Sequence, residues 1–380
     1  MHNVLANFFG IKISFSSNSE KLLSEIRSKY SAFLLPMKSK VKLNARVVLS
    51  EGKNNIMIDD SGLHISCQSI SDNLLWFNDA LRAYFISFFH TYNGFFFHAS
   101  SAIINHHAFI FLGSENTGKS TKRKQLSQQT SLGDDVAIVR IINRTPILFG
   151  SPFYQKTKIN YPNKKYKHPI FCFLEQSEFD MIISIKKPIS LISRNIFLIH
   201  HTEFINAFHL VATFASFDNH FVYKNTLGNS PTPLLKALLK FNNPSQFSTK
   251  SINPKLLNEF KYTIESFGVI MTSSLQHMNV IRGLSWLFEF GEDLAVGSVA
   301  KQFMVSQKTI TSSHREKIDK FLQGVFETDF YTFPLILSEI GHNTFEIVDG
   351  NHRSIANYIK YIRTGINIPI PILLVNKEKV

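Results

Sequence analysis

The sequence predicts a multidomain chain of α/β and α+β type, built in three parts. Three observations carry this expectation. Short runs alternating apolar and polar residues surround one amphipathic helix pattern up to about residue 75. In the middle, "HAFIFLGSENTGKSTKRK" reads as a strand, a glycine loop and a helix start. The last part closes with two strands, a glycine turn, a helix and a strand. The expected boundaries are 1–80 for a small N-terminal α+β region, 81–240 for the loop-bearing domain and 255–380 for the C-terminal domain.

In chain order, "GIKISFS", "KLNARVVLS" and "GLHISCQSI" have the two-residue period of half-buried strands. "SEKLLSEIRSKY" follows a Ser/Asn cap cluster with helical spacing, and "DNLLWFNDALRAYFISFFHTY" is a strongly amphipathic helix. "FFFHASSAII", "HAFIFLG", "VAIVRII", "PILFG" and "PIFCFLEQ" are β-rich runs. Residues 189–217 read as one or two helices and "HFVYKNTLG" as a returning strand. A helix is expected between Pro233 and Phe241, then a Ser/Pro/Asn-rich linker. From about Lys255, "LLNEFKYTIESFGVIM" and "NVIRGLSWLFEFGEDLAVGSVAKQF" read as helical. "FPLILSEI", "TFEIVDG" and "IPIPILLV" are strands around the helix "SIANYIKYIRTG".

Composition bounds the function classes. The chain has 380 residues, 44% hydrophobic and 18% charged, enough for packed cores rather than a disordered polymer. Its net charge of +13 suits anionic partners, but the basic residues are dispersed, so nucleic acid is admitted and not favoured. Cys67 and Cys172 have neither metal spacing nor a disulfide framework, which fits a reducing, cytoplasmic setting. The N-terminus lacks the pattern of a signal peptide. The most apolar window, Leu81 to Leu112, is interrupted by His90, Asn93, Gly94, His98, Asn105, His106 and His107, so no membrane span is expected.

Gly113 and Gly118-Lys119-Ser120 satisfy G-x-x-x-x-G-K-[ST]. Glycines let backbone N–H groups turn inward around phosphate oxygens, the lysine reaches the outer phosphates and the serine hydroxyl ligates Mg²⁺. "SLGDDVAIV" places Asp134 and Asp135 at the mouth of the next strand, fifteen residues beyond Lys119. One carboxylate suits the metal and the other a hydroxyl proton. The helix behind the loop reads "TKRKQLSQQ", with Leu126 its only large apolar residue, and is expected to be exposed or frayed.

The run "FFHASSAII…FIFLGSENTGKST…SLGDDVAIV" resembles the catalytic domain of HPr kinase/phosphorylase and its relatives. That family has a His-bearing strand, a phosphate loop and an Asp-Asp pair at this distance, and the resemblance covers about residues 80 to 230. It implies an ATP- and Mg²⁺-dependent kinase acting on a hydroxyl. Matched by position, the site is His98, Gly113, Gly118, Lys119, Ser120, Asp134 and Asp135. His98, Lys119 and both aspartates are the catalytic set, with Ser120 and Asp135 on the metal side.

"FEIVDGNHRSIANYIKY" is the second chemical stretch. Gly350 can take positive φ, and Asn351, His352 and Arg353 then lie at a helix N-terminus that favours an anion. With Asp349 they make a candidate nucleotide or phosphate site; alternatively, Asp349 caps the helix and Arg353 pairs with a surface acid. The stretch resembles the ParB/sulfiredoxin-like fold over about residues 315 to 380. Asn351 stands where sulfinic acid reduction needs a thiol, which excludes that activity. The "D-G-x-H-R" form is nearest to free-serine kinases, whose catalytic acid would come from Glu289, Glu292, Glu316 or Glu327. Ala300, Phe303, Val305, Ser306 and Ile310 match helix-turn-helix spacing, with Lys308, His314 and Arg315 available for phosphates.

The expectation is therefore a serine kinase using ATP and Mg²⁺, its acceptor a protein, a peptide or free serine, compatible with a homo-oligomer and not with a membrane. A nucleotide-dependent ParB-like DNA-binding regulator and an inactive scaffold are the alternatives.

Overall fold

The computed structural model describes residues 2–36, 42–59, 61–126, 131–153, 164–186, 188–197, 201–226, 228–241, 262–280, 293–305, 313–324, 334–341 and 344–377. The chain is mixed α/β, and it divides into two compact units. Met1–Cys172 and Lys187–Asn219 form the first, and Phe173–Lys186 and His220–Val380 the second.

The first unit opens with β1 (His2–Phe8) and β2 (Ile11–Ser17), an antiparallel pair turning at Phe9 and Gly10. Next come α1 (Glu20–Lys29), β3 (Ala45–Ser50), β4 (Asn55–Asp59) and β5 (Gly62–Ser66). The strands form a five-stranded sheet, order β1-β2-β3-β5-β4. The side chain of Ser19 accepts from the Leu22 N–H and caps α1, whose Leu22, Leu23 and Ile26 are buried. α2 (Leu74–Phe89) buries Phe77, Leu81, Phe85 and Phe89.

A second sheet of the same unit contains β6 (Gly94–Ile104), β7 (His107–Leu112), β8 (Ser131–Gly133), β9 (Val136–Ile142), β10 (Thr145–Phe149) and β11 (Lys165–Lys167). Its order is β11-β10-β9-β6-β7, antiparallel throughout, with β8 also paired to β6. Between β7 and β8 lies α3 (Lys119–Lys124). One hydrophobic core runs from Val4, Phe8 and Phe15 through Phe85 and Phe89 to Phe96, Ile138, Phe149 and Phe153. Arg140 of β9 reinforces it by donating from Nη1 to Phe9 O (2.6 Å) and from Nε to Tyr92 O (2.9 Å). Residues 1–80 thus share their core with the loop-bearing sheet. α4 (Ile189–Ser193) and α5 (His201–Ala215) complete the unit, and β12 (Ile170–Gln176) contains the first passage of the chain into the second.

The second unit is a sheet of order β14-β13-β15-β19-β17-β18-β16. Its strands are β13 (Met181–Ser184), β14 (His220–Asn225), β15 (Tyr262–Met271), β16 (Asn279–Val280), β17 (Leu335–Gly341), β18 (Thr344–Asp349) and β19 (Pro369–Lys377). Its helices are α6 (Thr232–Phe241), α7 (Val296–Val305), α8 (Ser313–Leu322) and α9 (Asn351–Thr364). Met181, Ile270, Ile372, Leu335 and Ile347 of the sheet pack with Val299, Phe303, Ile318, Ile355 and Ile359 of these helices.

Two expectations are corrected here. The spacing of "LLNEFKYTIESFGVIM" predicts a helix, yet Tyr262–Met271 is a strand paired on both sides, to β13 and to β19. Its Tyr, Thr, Ile, Phe and Val residues favour a pleated, buried surface. In the stretch from Asn279 to Phe303, Asn279–Val280 is a strand and only the part from Val296 is described as helix. Because β13 pairs with β15, a fragment beginning at residue 255 would lack a partner strand of its own sheet. The linker after Phe241, together with Ser306, Lys308, Ile310, Glu289, Glu292 and Glu327, lies outside the described residues. Among the described residues no helix is long and apolar enough to cross a membrane, and Cys67 and Cys172 are free and buried.

Candidate phosphate-binding site

β6 and β7 form a hairpin whose second strand is buried from Ala108 to Leu112 and then opens into the loop. Gly113 (φ 145°), Asn116 (φ 65°) and Gly118 (φ 94°) all lie at positive φ. These backbone reversals, which glycine and asparagine tolerate, wrap the loop around the start of α3. The Lys119 ammonium donates to the carbonyls of Gly113 and Ser114, each at 2.8 Å, and so spans the loop from inside. Ser100 Oγ of β6 donates to Lys119 O at 2.8 Å, fixing the helix start to the sheet. No side chain caps α3, so the helix start keeps N–H groups for an anion.

The two aspartates link β8 to β9. Asp135 sits in the left-handed region (φ 67°), a conformation aspartate accepts better than most residues. Asp134 is 4% exposed. Its Oδ1 accepts from the Ser120 hydroxyl and its Oδ2 from Arg123 Nη2, both at 3.0 Å. Arg123 is equally buried, and its Nη1 donates to Ser131 Oγ at 3.2 Å. Asp135 acts instead on Lys119 and His98. Burial holds the Lys119 ammonium below the usual lysine range, and the charges of Asp135 and Glu115 oppose that shift. His98 is lowered by burial first and by Lys119 next, against Asp135 and Glu115, with Arg82 adding to the lowering.

The structure thus brings His98, Gly113, Gly118, Lys119, Ser120, Asp134 and Asp135 to the point where β6, at His98 and Ala99, passes from pairing with the start of β9 to pairing with the end of β7. Two details depart from the sequence reading. Asp135 is expected on the metal side with Ser120, whereas the carboxylate that accepts from the Ser120 hydroxyl is Asp134. The described part of the helix behind the loop buries one side, with Lys119, Lys122, Arg123 and Leu126 buried and Thr121 and Lys124 exposed. Its polar composition reflects an ion pair beneath the loop, which apolar periodicity cannot reveal. Sequence reasoning also missed Asn195. Its Oδ1 accepts from the Gly113 N–H (2.9 Å) and its carbonyl from the His98 N–H (2.7 Å). Nothing local marks that residue.

The C-terminal turn lies in the other unit. Gly350 caps α9 with φ 94° and ψ 16°, the same backbone angles as Gly118, and again no side chain caps the helix. Arg353 and Asn351 are each 8% exposed, and Arg353 Nη2 donates to Pro334 O at 3.2 Å. Arg353 is lowered by burial, with Asp349 supporting its charge. His352 Nε2 lies 2.8 Å from His314 Nδ1 of α8, with the rings stacked 5.1 Å apart. Burial, then the charges of His314 and Lys317, lowers His352 to about 4. Glu316, the one proposed acid that is described, pairs with Lys320 on an exposed face.

The donor set at the glycine loop is of a kind that would suit Mg²⁺. Ser120 and Asp134 present hard oxygen ligands beside the helix start. Among the described residues no three His, Cys, Asp or Glu side chains converge, and Mg²⁺ characteristically takes one or two protein oxygens with the rest from phosphates and water. The chain matches no protein-family model and no curated protein.

Proposed function

We propose that the first unit binds a nucleoside triphosphate with Mg²⁺ and transfers its terminal phosphoryl group to a hydroxyl, that of a serine in a protein, in a peptide or as the free amino acid. One observation carries this reading. A glycine loop with a lysine ammonium across it leads directly into a helix whose second residue, Ser120, is hydrogen-bonded to a buried aspartate. In this reading Lys119 leaves the carbonyls of Gly113 and Ser114 for the outer phosphate oxygens. Ser120 and Asp134 hold the metal, which neutralises charge on the phosphates when bound. Asp135 takes the proton of the acceptor hydroxyl as the acceptor oxygen bonds to phosphorus and the bond to the leaving nucleoside diphosphate breaks. Burial and the Lys119 charge favour the neutral form of His98 beside Lys119 and Asp135. The C-terminal turn is a second candidate for a phosphate group, through the N–H groups at the start of α9.

The test is incubation with γ-labelled ATP, Mg²⁺ and free serine or candidate proteins, followed by mass analysis. Phosphoserine with equal ADP supports the reading. Tight nucleotide binding without transfer to any acceptor overturns it in favour of a nucleotide-switched regulator.

A further inference from the structure

Arg123 has no part in a phosphate loop's ordinary chemistry, yet it is 4% exposed and holds Asp134 from beneath. Both oxygens of that carboxylate are engaged, Oδ1 by the Ser120 hydroxyl and Oδ2 by Arg123, each at 3.0 Å. The guanidinium is itself anchored on Ser131 Oγ at 3.2 Å. Its buried Nε finds no acceptor among the described residues. A guanidinium is a planar fork of fixed charge, able to orient a carboxylate in a way a lysine cannot.

We propose that Arg123 is a positioning residue that aims Asp134 at Ser120 and cancels its charge, so that the loop takes a divalent cation only together with the phosphates of a nucleotide. This rests on the kinase reading of the same site. Without Arg123, an uncompensated buried carboxylate beside a serine hydroxyl would attract a cation by itself. With Arg123, the Asp134–Arg123 pair is neutral, and the missing attraction comes from the phosphates.

The experiment is Mn²⁺ titration of the full chain followed by electron paramagnetic resonance, without and with ADP. Wild type is expected to take up Mn²⁺ appreciably only with ADP. Arg123→Met should bind Mn²⁺ without nucleotide about 10- to 100-fold more tightly than wild type, the scale of one nearby charge left uncancelled. Such a swap removes a buried charge without adding a polar group. Arg123→Lys keeps the charge, so its nucleotide-free Mn²⁺ affinity should stay within about 3-fold of wild type. Having lost the fork, it should transfer phosphate about 10-fold more slowly at unchanged nucleotide KM. Unchanged or weaker Mn²⁺ binding in Arg123→Met overturns the proposal. If Arg123→Met does not fold, Arg123→Lys decides: unchanged kcat, or a changed Mn²⁺ affinity, overturns it. Failure of wild type to bind Mn²⁺ even with ADP would instead refute the kinase reading on which the proposal stands.

Discussion

The backbone N–H of Gly113, first residue of the glycine loop, donates to Asn195 Oδ1 at 2.9 Å across 82 residues of sequence. Asn195 is itself immobilised, since its Nδ2 donates to Leu191 O at 2.7 Å and its carbonyl accepts from the His98 N–H. One asparagine therefore sets the entry of the loop and the strand bearing His98. Asn195→Ala leaves a loop N–H without its acceptor. Nucleotide affinity should fall about 5- to 30-fold, equivalent to about 1–2 kcal/mol for a lost hydrogen bond. Calorimetric titration with ADP measures it, and unchanged affinity would show that the Asn195 bond to Gly113 has no part in nucleotide binding.

Lys119→Ala should abolish phosphate transfer while the fold persists. The ammonium contacts loop carbonyls and belongs to no buried ion pair among the described residues. Its removal should cost about 10³-fold or more in kcat by withdrawing charge from the transition state. Circular dichroism checks the fold. Full turnover in a folded Lys119→Ala protein would remove the loop from the mechanism.

How much of this was legible follows from the range of each interaction. The loop was legible because its chemistry is local: the spacing of Gly113, Gly118, Lys119 and Ser120 dictates the turn and the helix start. Asp134 was legible as part of a pair, but its separation in role from Asp135 depends on the φ of 67° at Asp135, which no residue pattern encodes. Arg123 and Asn195 were not legible. A cation in a polar helix defaults to solvent in any periodicity argument, and a bond across 82 residues leaves no local mark. β15 was misread because Ile264, Phe267 and Ile270 recur every third residue and imitate a helix face, whereas pairing on both edges selects the extended form.

Asp134→Asn and Asp135→Asn should separate cleanly. Asp134→Asn strips the counter-charge from buried Arg123. It should destabilise the protein by about 3–5 kcal/mol, as breaking a buried pair does. Adding Arg123→Met should restore most of that loss. Asp135→Asn keeps a residue that tolerates positive φ, so stability should change little. Transfer should nevertheless slow by about 10²- to 10⁴-fold through loss of the general base. Denaturant unfolding and single-turnover kinetics read the two effects. Full transfer rates in folded Asp135→Asn would remove it as the base.

His352 and His314 face one another ring nitrogen to ring nitrogen at 2.8 Å, so one ring must donate and the other accept. Burial, then His314 and Lys317, holds His352 down at about 4, against about 6.5 for a histidine in an unfolded chain. The sign follows from proton counting. Above the unfolded value His352 is neutral in both states and the pair contributes fully. As pH falls below it, the unfolded chain binds a proton that the folded ring refuses. Stability is lost progressively down to the folded value, by up to about 3 kcal/mol and by less to the extent that solvent reaches the ring. His352→Gln retains a hydrogen-bonding side chain and removes the titration. Its unfolding free energy should therefore vary less with pH between 6.5 and 4 than that of wild type. Urea unfolding at several pH values across that window measures both slopes. Parallel slopes would mean that His352 takes up its proton in the folded chain as readily as in the unfolded one.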